Sequence, residues 1–233
     1  MTTTPQERAR HIAKRAYLQC EVEGCGLPVY RLSRFCRPHT RQADRTGSPT
    51  GRAVTRSEMK PLWLAAHRFI ERHRDHPGIA SALRWVRELM SETAKLPPPK
   101  PRTQANSPDA LLGVRARSLV LHWDGPEDVL ATVFAVFALR RFDPRLFKSD
   151  RHFRVQLASR FLSLPRRVIS DGKKGKVPMR LRVWLGARLE QSLGVLAERV
   201  AEEIDRSQGH RKTVTVEGRL DGVEAPFSPP QPA

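Results

Sequence analysis

The sequence predicts a mainly α-helical protein in which a small N-terminal module, a short hairpin plus a helix, precedes a helical body. Three observations lead to this fold class. All three cysteines lie within positions 20–36. Apolar residues recur at helical spacing from position 57 onward. Nine of the 19 prolines cluster in two stretches, 97–108 and 226–232, which therefore cannot be helix interiors.

The charge of the chain indicates a polyanionic partner. Lysine and arginine number 42 against 24 acidic residues, which gives a formal net charge of +18 at pH 7. Arginine dominates, and its guanidinium group suits bidentate contacts to phosphate and to guanine edges. A GC-rich genome would favour arginine over lysine, but it would not explain the excess of basic over acidic residues. Nucleic acid, double-stranded DNA first, is therefore the expected partner.

No segment of the sequence is typical of export or of a membrane. The N-terminus lacks the apolar core of a secretory signal. The longest apolar run, at 129–139, is about half the length that a spanning helix needs. We expect a cytoplasmic, nucleoid-associated protein with reduced thiols and no membrane partner.

The four soft ligands near the N-terminus have the spacing of a metal site. Their pattern is Cys20-x4-Cys25-x10-Cys36-x2-His39, two close pairs separated by a segment that is typical of a short hairpin. Zinc in proteins is usually held by four tetrahedral thiolate and imidazole ligands in two such pairs. Gly24 permits a tight reversal in the first pair. Because all four ligands come from the protein, the predicted Zn²⁺ is structural and not catalytic.

Other interpretations of the cysteines stay open. The thiols could be ordinary small core residues, as free cysteines often are. Disulfides explain them less well, because three cysteines cannot all pair. Bound zinc could also do no more than stabilise the local fold.

Residues 18–52 resemble the short zinc modules of phage and mobile-element proteins, which often accompany HNH-type endonucleases. Such modules carry Cys-x4-Cys, an aromatic residue, Cys-x2-His, a basic helix and Gly-x-Pro. The matching positions here are Cys20, Cys25, Phe35, Cys36, His39, Arg41, Arg45, Gly47 and Pro49. The resemblance implies zinc and a DNA context. It does not imply cleavage, because the two histidines and the Asn loop of an HNH site cannot be placed in the sequence.

Arginines follow the last ligand. Arg37, Arg41 and Arg45 are four residues apart, so on a helix they form one basic ridge. Arg52 and Arg56 follow, and the Gly and Pro at 47–51 predict a flexible basic loop. We expect this zinc-binding module, residues 1–56, to present all five arginines to DNA, although a solvated charged face would have the same pattern.

A helical hairpin is predicted over residues 57–94. Ser57 is the candidate N-cap of its first helix, and Pro77 suits the first turn of the second. The expected apolar faces are Leu62, Ala66, Phe69 and Ile70 in the first helix, then Ile79, Leu83, Val86 and Met90 (or Leu89) in the second. The Pro-rich segment 95–108 predicts an interdomain linker or, alternatively, a long connection across one helical body.

Residues 109–207 predict a helical domain. A first helix is expected near 107–123, and the helix over 125–142 is apolar nearly all round, so it should be the most buried. A third helix follows over 149–165. The last helix carries an apolar stripe over six turns, from Leu181 to Ile204. Residues 208–233 have too little apolar content to pack, so we expect a disordered tail there with at most one stray strand.

The segment 165–182, between the last two helices, combines two glycines with a high density of positive charge. It is a candidate phosphate contact that would order on a nucleic-acid backbone. The same charges on an exposed connection could only keep it soluble. The candidates are Arg166, Arg167, Lys173, Lys174, Lys176 and Arg180, with Arg182 at the end of the segment.

Catalytic motifs are absent from the sequence: it has no P-loop, dinucleotide fingerprint, HExxH or G-x-S-x-G. His67, Glu71, His73 and His76 lie close together, but histidines on a helix are most often surface residues. The sequence therefore predicts a non-enzymatic DNA-binding accessory or regulatory protein, with room for a protein partner or a homodimer. The alternatives are an adaptor for an acidic protein and a nuclease related to the HNH group.

Overall fold

The computed structural model describes residues 18–95, 125–163 and 177–220, with isolated positions at 4–7, 9 and 108. Within these ranges it is mainly helical, and the only extended pairing there is a single antiparallel bridge between Gln19 and Pro28. The predicted fold class is confirmed. The helices are α1 (Arg37–Thr46), α2 (Arg56–Arg72), α3 (Pro77–Lys95), α4 (Pro126–Phe142), a 3-10 turn (Pro144–Leu146), α5 (Asp150–Phe161) and α6 (Met179–Leu220).

Helix α4 lies at the centre of the fold. Every residue from Val129 to Leu139 is buried. Acidic residues in its first turn and Arg140 and Arg141 in its last turn complement the helix dipole. Because this helix is apolar on all sides, it needs neighbours on all sides, and α2, α3, α5 and α6 each pack against it.

Helices α2 and α3 bury the predicted apolar faces, but they do not form the predicted hairpin. Each packs against α4 rather than along the other, because α4 offers a continuous apolar surface. The N-cap of α2 is Thr55 and not Ser57. Thr55 and Glu58 form a capping box, in which the Thr55 hydroxyl accepts a hydrogen bond from the Glu58 N–H. The Thr-x-x-Glu pattern was the signal for this start.

Helices α5 and α6 cross closely. A Cβ atom placed on Gly186 would lie only 2.1 Å from the Arg154 carbonyl oxygen, so glycine is what lets the two backbones approach. Phe153 and Phe161 of α5 are fully buried, and Leu181, Leu185, Leu189 and Leu193 of α6 form the buried stripe that the sequence predicts.

One hydrophobic core joins the helices on both sides of the Pro-rich segment, since it runs from Val54 through α2, α3, α4 and α5 to Ile204. The packing therefore agrees with the interpretation of 95–108 as a connection across one helical body, not as a linker between independent domains. Helix α6 continues to Leu220. The helix therefore extends past position 208, where the sequence predicts the start of a disordered tail.

Several predictions lie outside the described residues: the helix near 107–123, most of 95–108, the basic positions 166–176 and the chain beyond 220. Among the helices that are described, none is long and apolar enough to cross a bilayer.

Candidate metal centre and basic surface

The first ligand pair lies on a tight knuckle. Chain segments on either side of it pair antiparallel, with the Cys20 N–H donating to the Leu27 carbonyl and the Val29 N–H donating to the Leu18 carbonyl. The Cys25 N–H donates back to the Val22 carbonyl, and Gly24 and Gly26 adopt the positive φ angles of 73° and 61° that this reversal requires. The antiparallel hydrogen bonds therefore join the chain segments around the first two ligands, Cys20 and Cys25. The sequence instead predicts a hairpin within residues 26–35, between the two ligand pairs.

The second ligand pair lies at the start of α1. Cys36 is the N-cap residue and Pro38 occupies the first turn, where a missing N–H costs nothing. One helical turn then brings His39 beside Cys36. The loop before the helix is closed by hydrogen bonds from the Tyr30 N–H to the Phe35 carbonyl and from the Thr40 hydroxyl to the same carbonyl.

The four predicted ligands converge on one point. The Cys20 and Cys36 sulfurs lie 3.4 and 3.3 Å from His39 Nδ1, and the Cys25 and Cys36 sulfurs are 3.6 Å apart. All four donor atoms lie within 4.8 Å of one another, and none of the cysteines forms a disulfide. The edge of a regular tetrahedron is about 1.6 times the centre-to-vertex distance. The measured edges therefore match metal–ligand distances of about 2.0 to 2.2 Å, so the four residues could hold one metal ion.

The thiols are unequal in acidity. Burial opposes ionisation of Cys20, but hydrogen bonds with backbone groups of Cys36 and Val22 and with the His39 ring outweigh it and lower the pKa of Cys20 to about 6. For Cys25, a backbone hydrogen bond at Leu27 favours the thiolate. Burial and the neighbouring thiols outweigh that bond and raise the pKa of Cys25. One thiolate is therefore already favoured near neutral pH, which promotes cation binding.

Residues 46–54, which follow α1, are held in place and are not the flexible loop that the glycines and proline predicted. Thr46, Gly47, Ser48, Gly51 and Val54 are all buried. The Gln156 side chain on α5 binds both ends of the segment. Its Oε1 accepts from the Val54 N–H at 3.0 Å, and its Nε2 donates to the Thr46 carbonyl at 3.1 Å.

His152 holds the middle of the same segment. Its Nδ1 accepts from the Lys148 N–H at 3.2 Å, so Nε2 carries the proton and donates to the Arg52 carbonyl at 3.0 Å. A Cβ atom at Gly51 would lie 2.4 Å from the His152 ring, so only glycine fits there. Burial lowers the pKa of His152 more than the bond to Arg52 raises it, which keeps the imidazole neutral.

Arg182 of α6 binds the end of α1 and not phosphate. Its two Nη atoms donate to the Arg45 and Asp44 carbonyls at 2.6 and 2.7 Å, and the side chain is buried. A guanidinium group at the C-terminus of a helix satisfies free carbonyls and favours the dipole. The arginine that closes the predicted phosphate-binding segment therefore fixes α1 to the helical body.

The basic ridge of α1 is exposed as predicted. Arg37, Arg41 and Arg45 are all exposed, and among the residues that the structure describes none of them pairs with a carboxylate. Arg45 donates to the Gln42 side chain within the same helix, and Arg37 lies 6.0 Å from the centre of the Tyr30 ring.

The remaining predicted basic residues differ in their surroundings. Arg52 is exposed but forms an ion pair with Glu58. Arg56 is exposed, with one Nη 3.5 Å from the Ser163 carbonyl. Arg180 is exposed at the start of α6. Arg166, Arg167, Lys173, Lys174 and Lys176 lie outside the described residues.

The histidine group in and just after α2 makes polar and ring contacts within the fold. His67 lies 3.3 Å from both Glu71 and Asp128, one carboxylate on each side of the ring. His73 stacks on Phe69 with 4.4 Å between the ring centres, and the His76 ring caps the Gly78 N–H. In the described parts of the chain, the N-terminal cluster is the one group of these residue types whose donor atoms converge for a metal.

Arg160, in the last turn of α5, was missed by the sequence reasoning. Its Nε is buried and has no hydrogen-bond partner. Burial, reinforced by the neighbouring positive charge of Arg56, lowers its pKa. The only sequence signal for a buried Nε at this position is that Arg160 follows a run of buried α5 residues.

Comparison with protein-family models, curated proteins and solved structures finds no match to this chain.

Proposed function

We propose that this chain is a non-enzymatic DNA-binding protein whose N-terminal module is held by structural Zn²⁺ and docks the exposed face of α1 on the duplex. The observation that carries the proposal is the ridge of Arg37, Arg41 and Arg45. These arginines are exposed and lack acidic partners among the described residues. The helix that carries them is held at both ends, by Arg182 at its C-terminus and by the predicted ligand cluster at its N-terminus. Positive charge that forms no ion pair within the protein is available to bind a polyanion.

The donor set favours zinc. Three thiolates and one imidazole are a common structural zinc set, with Zn–S distances of about 2.3 Å and Zn–N distances of about 2.0 Å. The measured distances between donor atoms are slightly shorter than those expected around a bound Zn²⁺. A cation at the centre would replace these direct contacts between the donor atoms. With four protein ligands there is no open position for water, which argues against hydrolysis at this centre.

The dimensions of α1 suit a groove. Arg37 and Arg45 are eight residues apart, which is about 12 Å along a helix. The major groove of B-DNA is about 12 Å wide and admits a helix, whose diameter with side chains is about 10–12 Å, so the ridge would run along the groove. The net charge of +18 adds a sequence-independent attraction to phosphate. The resemblance of residues 18–52 to mobile-element zinc modules suggests an accessory or regulatory protein of a phage or related element.

Affinity for duplex DNA across a salt series tests the proposal. Wild type, Arg41→Gln and Arg87→Gln would be compared, the last as the control because Arg87 is an exposed arginine on α3. We expect Arg41→Gln to lower affinity several-fold and to reduce the slope of log affinity against log salt by about 0.9. The control should match wild type. Equal losses in both variants would mean that net charge, and not α1, determines binding.

Metal content tests the centre separately. Purified wild type should contain one zinc per chain by elemental analysis, and Cys36→Ala should lose it together with most DNA affinity. A Cys36→Ala protein that keeps full zinc occupancy would contradict the ligand assignment. Metal-dependent nicking of plasmid by wild type would instead favour an HNH-related nuclease.

A protein partner is the second candidate, because of three exposed leucines in the module. Leu18, Leu27 and Leu32 are each 49% exposed, whereas large apolar side chains elsewhere in the described residues are mostly buried. Exposed apolar groups on a small basic module suit an adaptor for a protein with acidic and apolar surface. Binding that requires such a protein, with no measurable DNA affinity at moderate salt, would favour this function.

A further inference from the structure

The loop formed by residues 30–35 lies beside the basic ridge of α1. The Arg37 guanidinium, at the N-terminal end of the ridge, lies 6.0 Å from the centre of the Tyr30 ring. The Thr40 hydroxyl on α1 donates a hydrogen bond to the Ser33 hydroxyl at 2.7 Å. These two contacts place the 30–35 loop against the first turn of α1, next to the first arginine of the ridge.

The 30–35 loop is closed by its own hydrogen bonds. The Tyr30 N–H donates to the Phe35 carbonyl at 2.8 Å, and the Ser33 N–H donates to the Tyr30 carbonyl at 3.0 Å. Arg31 has a φ angle of 55°, and among the described residues it is the one non-glycine residue with a positive φ. This left-handed conformation is unfavourable for an arginine, so it persists because the hydrogen bonds around it fix the turn. The side chains at the tip of the loop therefore project from a fixed backbone.

The tip of the 30–35 loop combines positive charge with an exposed apolar side chain. Arg31 is exposed and has no carboxylate partner in the described parts of the chain. Leu32 follows it and is 49% exposed. Arg34, two residues later, forms an ion pair with Glu21 at 3.2 Å. An exposed apolar group between two arginines fits a partner that carries negative charge around an apolar surface.

Duplex DNA offers that combination in its major groove. Phosphates line both edges of the groove, and thymine presents its C5-methyl group inside it. Leucine forms no side-chain hydrogen bond, so the methyl group is the part of a base edge that it matches. Leu27 is equally exposed, but it follows a knuckle that carries Glu23, an exposed acid that phosphate would repel. Of these two leucines, Leu32 therefore has the surroundings that suit DNA.

We propose that Leu32 is a specificity residue that contacts the methyl group of thymine in the major groove, while Arg31 contacts the adjacent phosphate. The inference rests on the proposed function, in which α1 docks in the same groove, and it adds an apolar base contact to the arginine contacts of the ridge. Phosphate contacts position a protein on DNA without reading its sequence, whereas an apolar contact with a base edge reads it. The chain should therefore favour sites that place thymine under the 30–35 loop.

Removal of the methyl group from the DNA tests this contact without any change in the protein. The probes are two duplexes of alternating adenine and thymine, identical except that deoxyuridine replaces thymine in one of them. Affinity for each duplex is measured with the full zinc-loaded chain at one fixed salt concentration. Because burial of one methyl group corresponds to about a fourfold difference in affinity, wild type should bind the thymine duplex about fourfold more tightly.

Substitutions in the module assign this preference to one residue. Leu32→Ala should bind both duplexes equally, whereas Leu32→Met keeps an apolar group of similar size and should retain the preference. Leu27→Ala is the matched control, because it removes an equally exposed leucine of the same module, and it should also retain the preference. Arg31→Asn should weaken binding to both duplexes alike, because it removes a phosphate contact while asparagine tolerates the left-handed backbone.

The outcomes separate this inference from the proposed function. Equal affinity of wild type for the two duplexes would refute the methyl contact and leave the proposed function standing. A preference for thymine that persists in Leu32→Ala would come from another residue or from DNA shape, and it would overturn the assignment to Leu32. If wild type binds neither duplex, the proposed function fails and the inference fails with it, and a protein partner then explains the exposed leucine better.

Discussion

Replacing Gln156 by methionine would test how the segment after α1 is held. The Gln156 amide satisfies two backbone groups, the Val54 N–H and the Thr46 carbonyl, and all three residues are buried. Methionine has a similar length and no hydrogen-bonding group. The substitution therefore removes both bonds without creating a large cavity.

The expected cost follows from these two bonds. Each buried backbone group that is left without a partner costs about 1 to 3 kcal/mol, and the apolar methionine recovers about 1 kcal/mol. The free energy of unfolding should therefore fall by about 1 to 5 kcal/mol. For a protein of this size each kcal/mol corresponds to about 2 to 4 °C, so Tm should fall by roughly 2 to 20 °C.

Urea denaturation followed by circular dichroism, with zinc in excess, measures this change. Gln191→Met is the matched control, because Gln191 is exposed on α6 and should change the free energy of unfolding by less than about 0.5 kcal/mol. A Gln156→Met protein as stable as this control would refute the reasoning. It would mean that residues 46–54 do not depend on the amide.

Two further predictions concern α6 and His152. Gly186→Ala should destabilise the protein by about 3 kcal/mol or more, because its Cβ would collide with the Arg154 carbonyl. Gly194→Ala should be neutral or stabilising in the same denaturation assay, because its Cβ would make only ordinary contacts, with Phe137 at 3.7 Å and Glu190 at 3.9 Å. Because the pKa of His152 is lowered in the folded protein, its contribution to stability is complete above the ordinary histidine pKa and is lost as pH falls below about 6.5. A His152→Phe variant should lack this pH-dependent step, and a wild-type stability that is flat between pH 7.5 and about 5 would contradict it.

Local patterns were enough to predict the helices and the ligand cluster. The stripe from Leu181 to Ile204 and the apolar length of α4 each depend on residues near one another in sequence. The spacing of the three cysteines and His39 likewise follows from one knuckle and one helical turn. In these cases the chain itself sets the geometry.

The contacts between module and body could not be predicted in this way. Gln156, His152 and Arg182 lie 100 or more residues from the backbone groups that they bind. Gly and Pro at 47–51 are typical of a free loop, but tertiary hydrogen bonds hold that segment. Arg182 has the composition of a phosphate contact, and only its packing against α1 shows its structural role.

The polar side chains of α5 and α6 also affect how this architecture can evolve. Here the carbonyls at Asp44, Arg45 and Thr46 find their donors only in the host helices. A transplanted module would keep its cluster of three cysteines and one histidine but lose those donors, and the helical body left behind would keep a buried arginine and a buried glutamine without acceptors. Exchange of residues 18–56 therefore requires matched changes at Gln156 and Arg182, so the module and its host are expected to be inherited together.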